Sequence, residues 1–264
     1  MPALLELKQC TVQFGGLTAV SKFDLEVGEN DLVGLIGPNG AGKTTVFNII
    51  TGVYQPTSGS IRFEGKPIAR LKPNAIAGRG IARTFQNIRL FPTLTVFDNV
   101  RAGFNLRLMH RLAHALLRIP AFYREENDVA RQVRDLLDIF DLGRFADVRC
   151  GNLSYGDQRR LEIVRALATK PELLLLDEPA AGMNPKEKEQ LMELIKFIKK
   201  KFEIAVLLVE HDMKVVMGIC ERISVLDYGV RIAEGSPAEV KANPKVIEAY
   251  LGEEAPAAAP APTP

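Results

Sequence analysis

Short apolar runs alternate with stretches of helical periodicity along most of the chain. The runs are rich in Leu, Ile and Val and are bounded by Gly, Pro, Asn or Asp, which marks them as strands. They fall at residues 4–8, 24–27, 31–36, 60–63, 173–176, 205–209, 224–226 and 230–233. Strands alternating with helical patterns predict an α/β fold with a mostly parallel central sheet. Gly37 closes one strand, and the following pattern predicts a helix from Lys43 to about Thr51. Gly59 and Gly65 bracket a short strand with turn chemistry on both sides.

Between about residues 97 and 168 the pattern turns mostly helical. Leu108, Met109, Leu112, Ala113, Leu116 and Leu117 recur at helical spacing, with Arg107, His110, Arg111, His114 and Arg118 on the other side. Pro120 is expected to interrupt this basic amphipathic helix. A second helix is predicted over residues 125–140, with Val129, Val133, Leu136, Leu137 and Phe140 as its apolar stripe. The segment as a whole is expected to form an α-helical subdomain inserted into the α/β core. The organisation predicted is one domain over residues 4–252 and a tail over 253–264. The last ten residues of that tail contain only Ala, Pro and Thr, a composition that builds no core and favours disorder.

Composition narrows the function. The chain has 264 residues, of which 47% are hydrophobic, enough for a sizeable core. Its 34 basic and 32 acidic residues leave a formal charge of +2, short of the basic excess of a general nucleic-acid binder. Cys10, Cys150 and Cys220 are scattered, which argues against a disulfide framework or a zinc site and fits a reducing compartment. No apolar run approaches the ~20 residues that span a bilayer, so a membrane role is expected to come through a partner.

Three segments carry chemistry. Gly37-Pro38-Asn39-Gly40-Ala41-Gly42-Lys43-Thr44 fits GxxxxGK[ST] between a strand and a helix. The glycines let backbone N–H groups turn toward phosphate oxygens, and the helix N-terminus adds positive potential. Lys43 is expected to reach the β- and γ-phosphates and Thr44 to coordinate Mg²⁺, with Thr45 beside it among the nucleotide contacts. Leu173-Leu174-Leu175-Leu176-Asp177-Glu178 is a buried strand ending in two carboxylates. Alternation along a strand would send them to opposite sides, Asp177 toward the metal and Glu178 toward the attacking water.

The third segment, Leu153-Ser154-Tyr155-Gly156-Asp157-Gln158 followed by Arg159-Arg160-Leu161-Glu162, is similar to the signature of ATP-binding cassette (ABC) proteins. Together with the phosphate loop and the Asp-Glu strand it resembles an ABC transporter ATPase subunit over about residues 4–252. The resemblance implies a P-loop NTPase core with an N-terminal antiparallel β subdomain and the inserted helical subdomain. It implies ATP and Mg²⁺ as ligands, and a head-to-tail dimer in which Ser154 and Gly156 of one subunit meet the γ-phosphate held by the other. Tyr155 stands where the commonest signature has Gly, and Asp157 where it has Gln. By the same resemblance Phe14 would stack on adenine, Gln86 would sense Mg²⁺ and couple to the membrane partner, and His211 would contact the γ-phosphate. Lys43, Gln86, Glu178 and His211 are then the catalytic set, and Thr44, Gln86 and Asp177 the metal set. The loop Ala181-Gly182-Met183-Asn184 is expected to touch the opposite subunit.

Within the family, Arg83-Thr84-Phe85-Gln86-Asn87, Glu178-Pro179-Ala180-Ala181-Gly182 and Ala249-Tyr250-Leu251-Gly252-Glu253 resemble the LivG-type ATPases of branched-chain amino acid importers. That resemblance implies a second, LivF-like ATPase or a second copy of this chain, two membrane permeases and, indirectly, a substrate-binding protein. It places the subunit on the cytoplasmic face of the membrane. Other readings are the ATPase of an amide or urea importer or of a lipopolysaccharide exporter, and a soluble ABC ATPase. The soluble DNA-repair type carries long coiled coils between the loop and the Asp-Glu strand, and no sustained heptads occur here.

Overall fold

The computed structural model describes residues 3–106 and 120–254. It begins with β1 (Leu5–Phe14), β2 (Leu17–Val27) and β3 (Leu32–Ile36). Then come α1 (Lys43–Ile50), β4 (Ser58–Phe63), β5 (Lys66–Pro67), α2 (Pro73–Gly78) and β6 (Ile81–Arg83). Next are α3 (Val96–Phe104), α4 (Pro120–Ile139) and α5 (Tyr155–Leu167), and then β7 (Leu173–Asp177). The remainder is α6 (Pro185–Phe202), β8 (Ala205–Val209), α7 (Met213–Ile219), β9 (Arg222–Asp227), β10 (Val230–Gly235), α8 (Pro237–Ala242) and α9 (Pro244–Glu254).

The strands form two sheets. An antiparallel sheet has the order β2-β1-β4-β5. The central sheet runs β10-β9-β3-β8-β7-β6, parallel from β9 to β6, with β10 antiparallel at its edge. Apart from Asp177 at the end of β7, its middle strands β3, β8 and β7 are apolar throughout because both faces are covered. Along β7, Leu173 and Leu175 enter one hydrophobic core while Leu174 and Leu176 enter the other. Val206 and Leu208 of β8 alternate in the same way with Ala205, Leu207 and Val209. One core lies toward the antiparallel sheet and α1; the other lies toward α3, α4 and α5.

Several expectations need correction. β1 and β2 are longer than predicted because register shifts between Leu7 and Val12, with positive φ at Gln9 and Lys22, break the alternation. β6 has three residues, too few to show a period. Gly59 lies inside β4 instead of before it; its φ is +92° and a Cβ there would lie 2.4 Å from the Gln9 carbonyl. α4 begins at Pro120, five residues before the predicted start; the first helical position has no N–H bond to lose. On α4, Val129, Val133 and Leu137 are buried, and Phe140 just beyond it is buried as well. The basic helix predicted over 107–118 and the segment 255–264 lie outside the described residues. α9 runs through Glu254.

Leu175 is fully buried at the centre of the sheet. Leu175→Ala is expected to lower stability by about 2–5 kcal/mol in a denaturant titration, from lost burial and the cavity left behind.

Candidate functional site

The phosphate loop leaves β3 at Gly37, where φ is +153° and a Cβ would lie 1.9 Å from the Leu226 carbonyl oxygen. Gly42, with φ +106°, caps α1 and would set a Cβ 2.6 Å from the Ala19 carbonyl. These two glycines let the loop press against β9 and β2. Gly40 is also left-handed, but a Cβ there would meet nothing within 4 Å, so its side of the loop is open. Pro38, Ala41 and Lys43 are buried, while Asn39, Gly40 and Thr44 are exposed and Thr45 is half-buried. Lys43 Nζ donates to the carbonyls of Gly37 at 2.6 Å and Pro38 at 2.8 Å. The ammonium is thus folded over its own loop, at the start of the helix where an anion is favoured.

Asp177 ends β7, two strands from β3 in the sheet. Its Oδ2 accepts from Arg83 Nη2 at 2.7 Å, and both side chains are only 8% exposed. Arg83 also donates to Asn48 Oδ1 at 2.8 Å and Thr51 Oγ1 at 3.3 Å, and lies over the rings of Phe47 and Phe85. One guanidinium therefore joins the helix that follows the phosphate loop to the carboxylate at the end of β7. Glu178 departs from the expected pleat. Its φ is 45°, so a left-handed turn, and not strand alternation, sets the direction of its side chain.

Gln86 and His211 converge on Glu178. Gln86 Nε2 donates to Glu178 Oε2 at 2.6 Å, and His211 Nδ1 lies 3.6 Å from the same oxygen. Beneath them is the fully buried Glu210, which accepts from the backbone N–H of Ala180 at 2.6 Å and of His211 at 3.1 Å. Burial pushes the Glu210 carboxyl above the usual range, opposed by those N–H groups and by His211. Glu210 thereby fastens the loop after Glu178 to the loop that carries His211.

Ser154 caps α5, accepting from the Asp157 N–H at 3.2 Å and donating to the Asp157 carboxylate at 2.7 Å. Asp157 therefore holds the serine hydroxyl and supports the helix N-terminus. Gly156 follows in the first turn of α5, with open space where a Cβ would stand. Phe14, at the end of β1, is 45% exposed and packs edge-on against Tyr54 with ring centroids 5.1 Å apart. Asn184 caps α6 in a reciprocal box with Glu187, which gives it a local structural role. Sequence reasoning passed over Arg83, Tyr54, Arg159 and Glu210. Glu210 has the same signal as Asp177, a carboxylate directly after a buried apolar run, whereas the others depend on contacts distant in sequence.

A glycine-rich loop over a helix N-terminus, set in a parallel sheet beside two strand-end carboxylates, defines a nucleoside-triphosphate-binding ATPase. The chain belongs to the ABC transporter family, whose model matches residues 20–181. A second model, branched-chain amino acid ATP-binding cassette transporter, matches residues 230–256. The chain is 46% identical to the high-affinity branched-chain amino acid transport ATP-binding protein BraF of Pseudomonas aeruginosa, over 95% of this chain and 98% of that one. It is 47% identical to LivG of Salmonella typhimurium, over the same shares. Among solved structures, the ADP conformation of an ATP-binding cassette of an ABC transporter superposes with a TM-score of 0.83. That structure is 30% identical and is covered completely by 96% of this chain.

The Arg83–Asp177 pair generates a stability prediction. Arg83→Met leaves a buried carboxylate without its cation and should cost about 3–5 kcal/mol in chemical unfolding. Adding Asp177→Leu should recover part of that loss.

Proposed function

We propose that this chain binds and hydrolyses ATP as one subunit of an importer of branched-chain amino acids. The observation that carries the catalytic reading is the grouping of Gln86 and His211 on the Glu178 carboxylate. Near-complete mutual coverage with BraF and LivG supports the transport reading.

In this reading the N–H groups of 37–44 and Lys43 bind the triphosphate, with Thr45 beside them, and Phe14 stacks on adenine. Lys43 exchanges its two loop carbonyls for phosphate oxygens. Glu178 orients the attacking water and takes up its proton, while Gln86 and His211 fix the carboxylate's position. The hydroxyl of Thr44, the carboxylate of Asp177 and the amide oxygen of Gln86 are hard oxygen donors, a set that suits Mg²⁺ held chiefly by nucleotide phosphates. Mg²⁺, when bound, would offset negative charge on the phosphates. Ser154 and Gly156 supply a hydroxyl and an N–H to nucleotide held by a second subunit, either a LivF-like ATPase or another copy of this chain.

No helix of the described residues is long and apolar enough to cross a membrane. The proposed attachment is peripheral, on the cytoplasmic face, through two permeases, with a substrate-binding protein acting on the far side. A cleft of about 590 Å³ between α2, β6, α3 and α5 is the proposed permease seat. Phe85, Arg89, Phe91, Glu162 and Arg165 line it, so it adjoins the Gln86 loop. The proposed domain organisation is a single ATPase domain over 4–252, with helices α3 to α5 as its helical subdomain and a tail beyond.

Glu178→Gln should retain ATP binding and lose about 10²–10⁴-fold in turnover, and Lys43→Ala should lose binding or turnover. Hydrolysis at the parent rate by Glu178→Gln removes that residue from the role. A tagged copy purified from native membranes should recover two different permeases and a second ATPase. Recovery of one permease type without a second ATPase points instead to a homodimeric exporter.

A further inference from the structure

Tyr155 and Arg159 occupy one face of α5, one turn apart. Arg159 is 4% exposed and Tyr155 is 47% exposed. The phenol oxygen accepts from Arg159 Nε at 3.2 Å and Nη2 at 3.0 Å, and its hydroxyl donates to the Ala181 carbonyl at 3.1 Å. The guanidinium lies over the same phenol ring, 5.4 Å from its centroid. Its outer nitrogens reach the other way, Nη1 donating to the Phe85 carbonyl at 2.7 Å and Nη2 to the Gln86 carbonyl. Glu162, 2% exposed, pairs with Arg159 at 3.3 Å and accepts from the Arg89 N–H at 3.2 Å. That bond fastens the far end of the Gln86 loop to the same helix.

These bonds close a ring. Gln86 donates from its side chain to Glu178, and the Ala181 N–H donates to the Glu178 carbonyl at 3.2 Å. Glu178, Gln86, Arg159, Tyr155 and Ala181 are thus joined in sequence and back to the start. A hydroxyl that accepts from a cation is a stronger donor, so the links reinforce one another. Tyr155 and Gln86 are its exposed members, and Tyr155 stands between Ser154 and Gly156.

We propose that Tyr155 and Arg159 are positioning residues that tie the start of α5 to the Glu178 carboxylate. Contact of Ser154 and Gly156 with nucleotide on a second subunit then adjusts this subunit's own Gln86 and Glu178. A shift of the first turn of α5 carries Tyr155 and Arg159 together. It pulls on the carbonyls of Phe85 and Gln86 on one side and of Ala181 on the other. The inference rests on the reading above in which Glu178 orients water and Ser154 and Gly156 face the partner's nucleotide.

The test is steady-state ATP hydrolysis with Mg²⁺ by the full chain, with a double-mutant cycle. Tyr155→Phe keeps the ring over Arg159 and removes only the hydroxyl. It should leave KM for ATP and the thermal midpoint unchanged and lower kcat about tenfold. In a Gln86→Ala background the same substitution should have little further effect. If Tyr155→Phe lowers the thermal midpoint, Arg159→Lys, which keeps the charge and loses the planar fork, should show the same kcat loss and the same dependence on Gln86. Losses that multiply in the double variant, a change confined to KM, or a parent kcat overturn the relay. If Glu178→Gln and Gln86→Ala both hydrolyse ATP at the parent rate, the active-site reading itself falls and the relay with it. If they are slowed and Tyr155→Phe is not, only the relay falls.

Discussion

Parallel pairing of β3, β8 and β7 is the constraint from which the site follows. Neighbouring parallel strands end at the same edge of a sheet, so the loops leaving them are brought together whatever their distance in the chain. Here those loops are the glycine-rich turn after β3, Asp177–Glu178 at the end of β7, and Glu210–His211 after β8. The strands are held side by side by burial on both faces, with successive residues alternating between two cores. The geometry of the candidate site is therefore fixed by the most deeply buried part of the molecule, and its side chains ride on the rim.

Placing several carboxylates at one rim creates an electrostatic problem, and each is handled differently. Asp177 faces a buried guanidinium at 2.7 Å, which offsets the desolvation of its charge. Glu210, with no exposure, is held by backbone N–H groups that also define the course of two loops. Glu178 is the more accessible of the three, with its oxygen beside Gln86 and His211. The carboxylate proposed to meet water is thus the one that gives up least hydration, while its neighbours are committed to an ion pair and to backbone N–H groups.

Much of this was legible in the sequence, and the boundary has a physical cause. Residues 37–44 and the Leu run ending in Asp177–Glu178 are local patterns in which spacing alone specifies a turn or a buried strand. The direction of Glu178 was not legible, because a left-handed φ of 45° overrides alternation just where the strand stops. The bulges at Gln9 and Lys22 hid most of β1 and β2 for a similar reason. Arg83 and Asp177 are 94 residues apart, and Tyr155 and Ala181 are 26 apart, so only the fold brings them into contact. Asp157 departs from the commonest signature, and its reciprocal bond with Ser154 shows that it builds the helix cap.

The same reasoning separates what one chain can do from what two are needed for. The phosphate loop, Asp177 and Glu178 all stand at the strand ends of this subunit. Ser154 and Gly156 start a helix whose inward contacts go to the Gln86 loop and to Ala181. A helix N-terminus with an exposed serine cap and an open glycine beside it has donors to offer outward. Its first turn is bonded inward to the segments that hold Glu178. A subunit built in this way joins the start of α5 and the Glu178 carboxylate as two ends of one hydrogen-bonded unit. In the proposed head-to-tail pair each subunit's helix would face its neighbour's nucleotide, so that engaging that nucleotide and ordering its own carboxylate would be a single mechanical event.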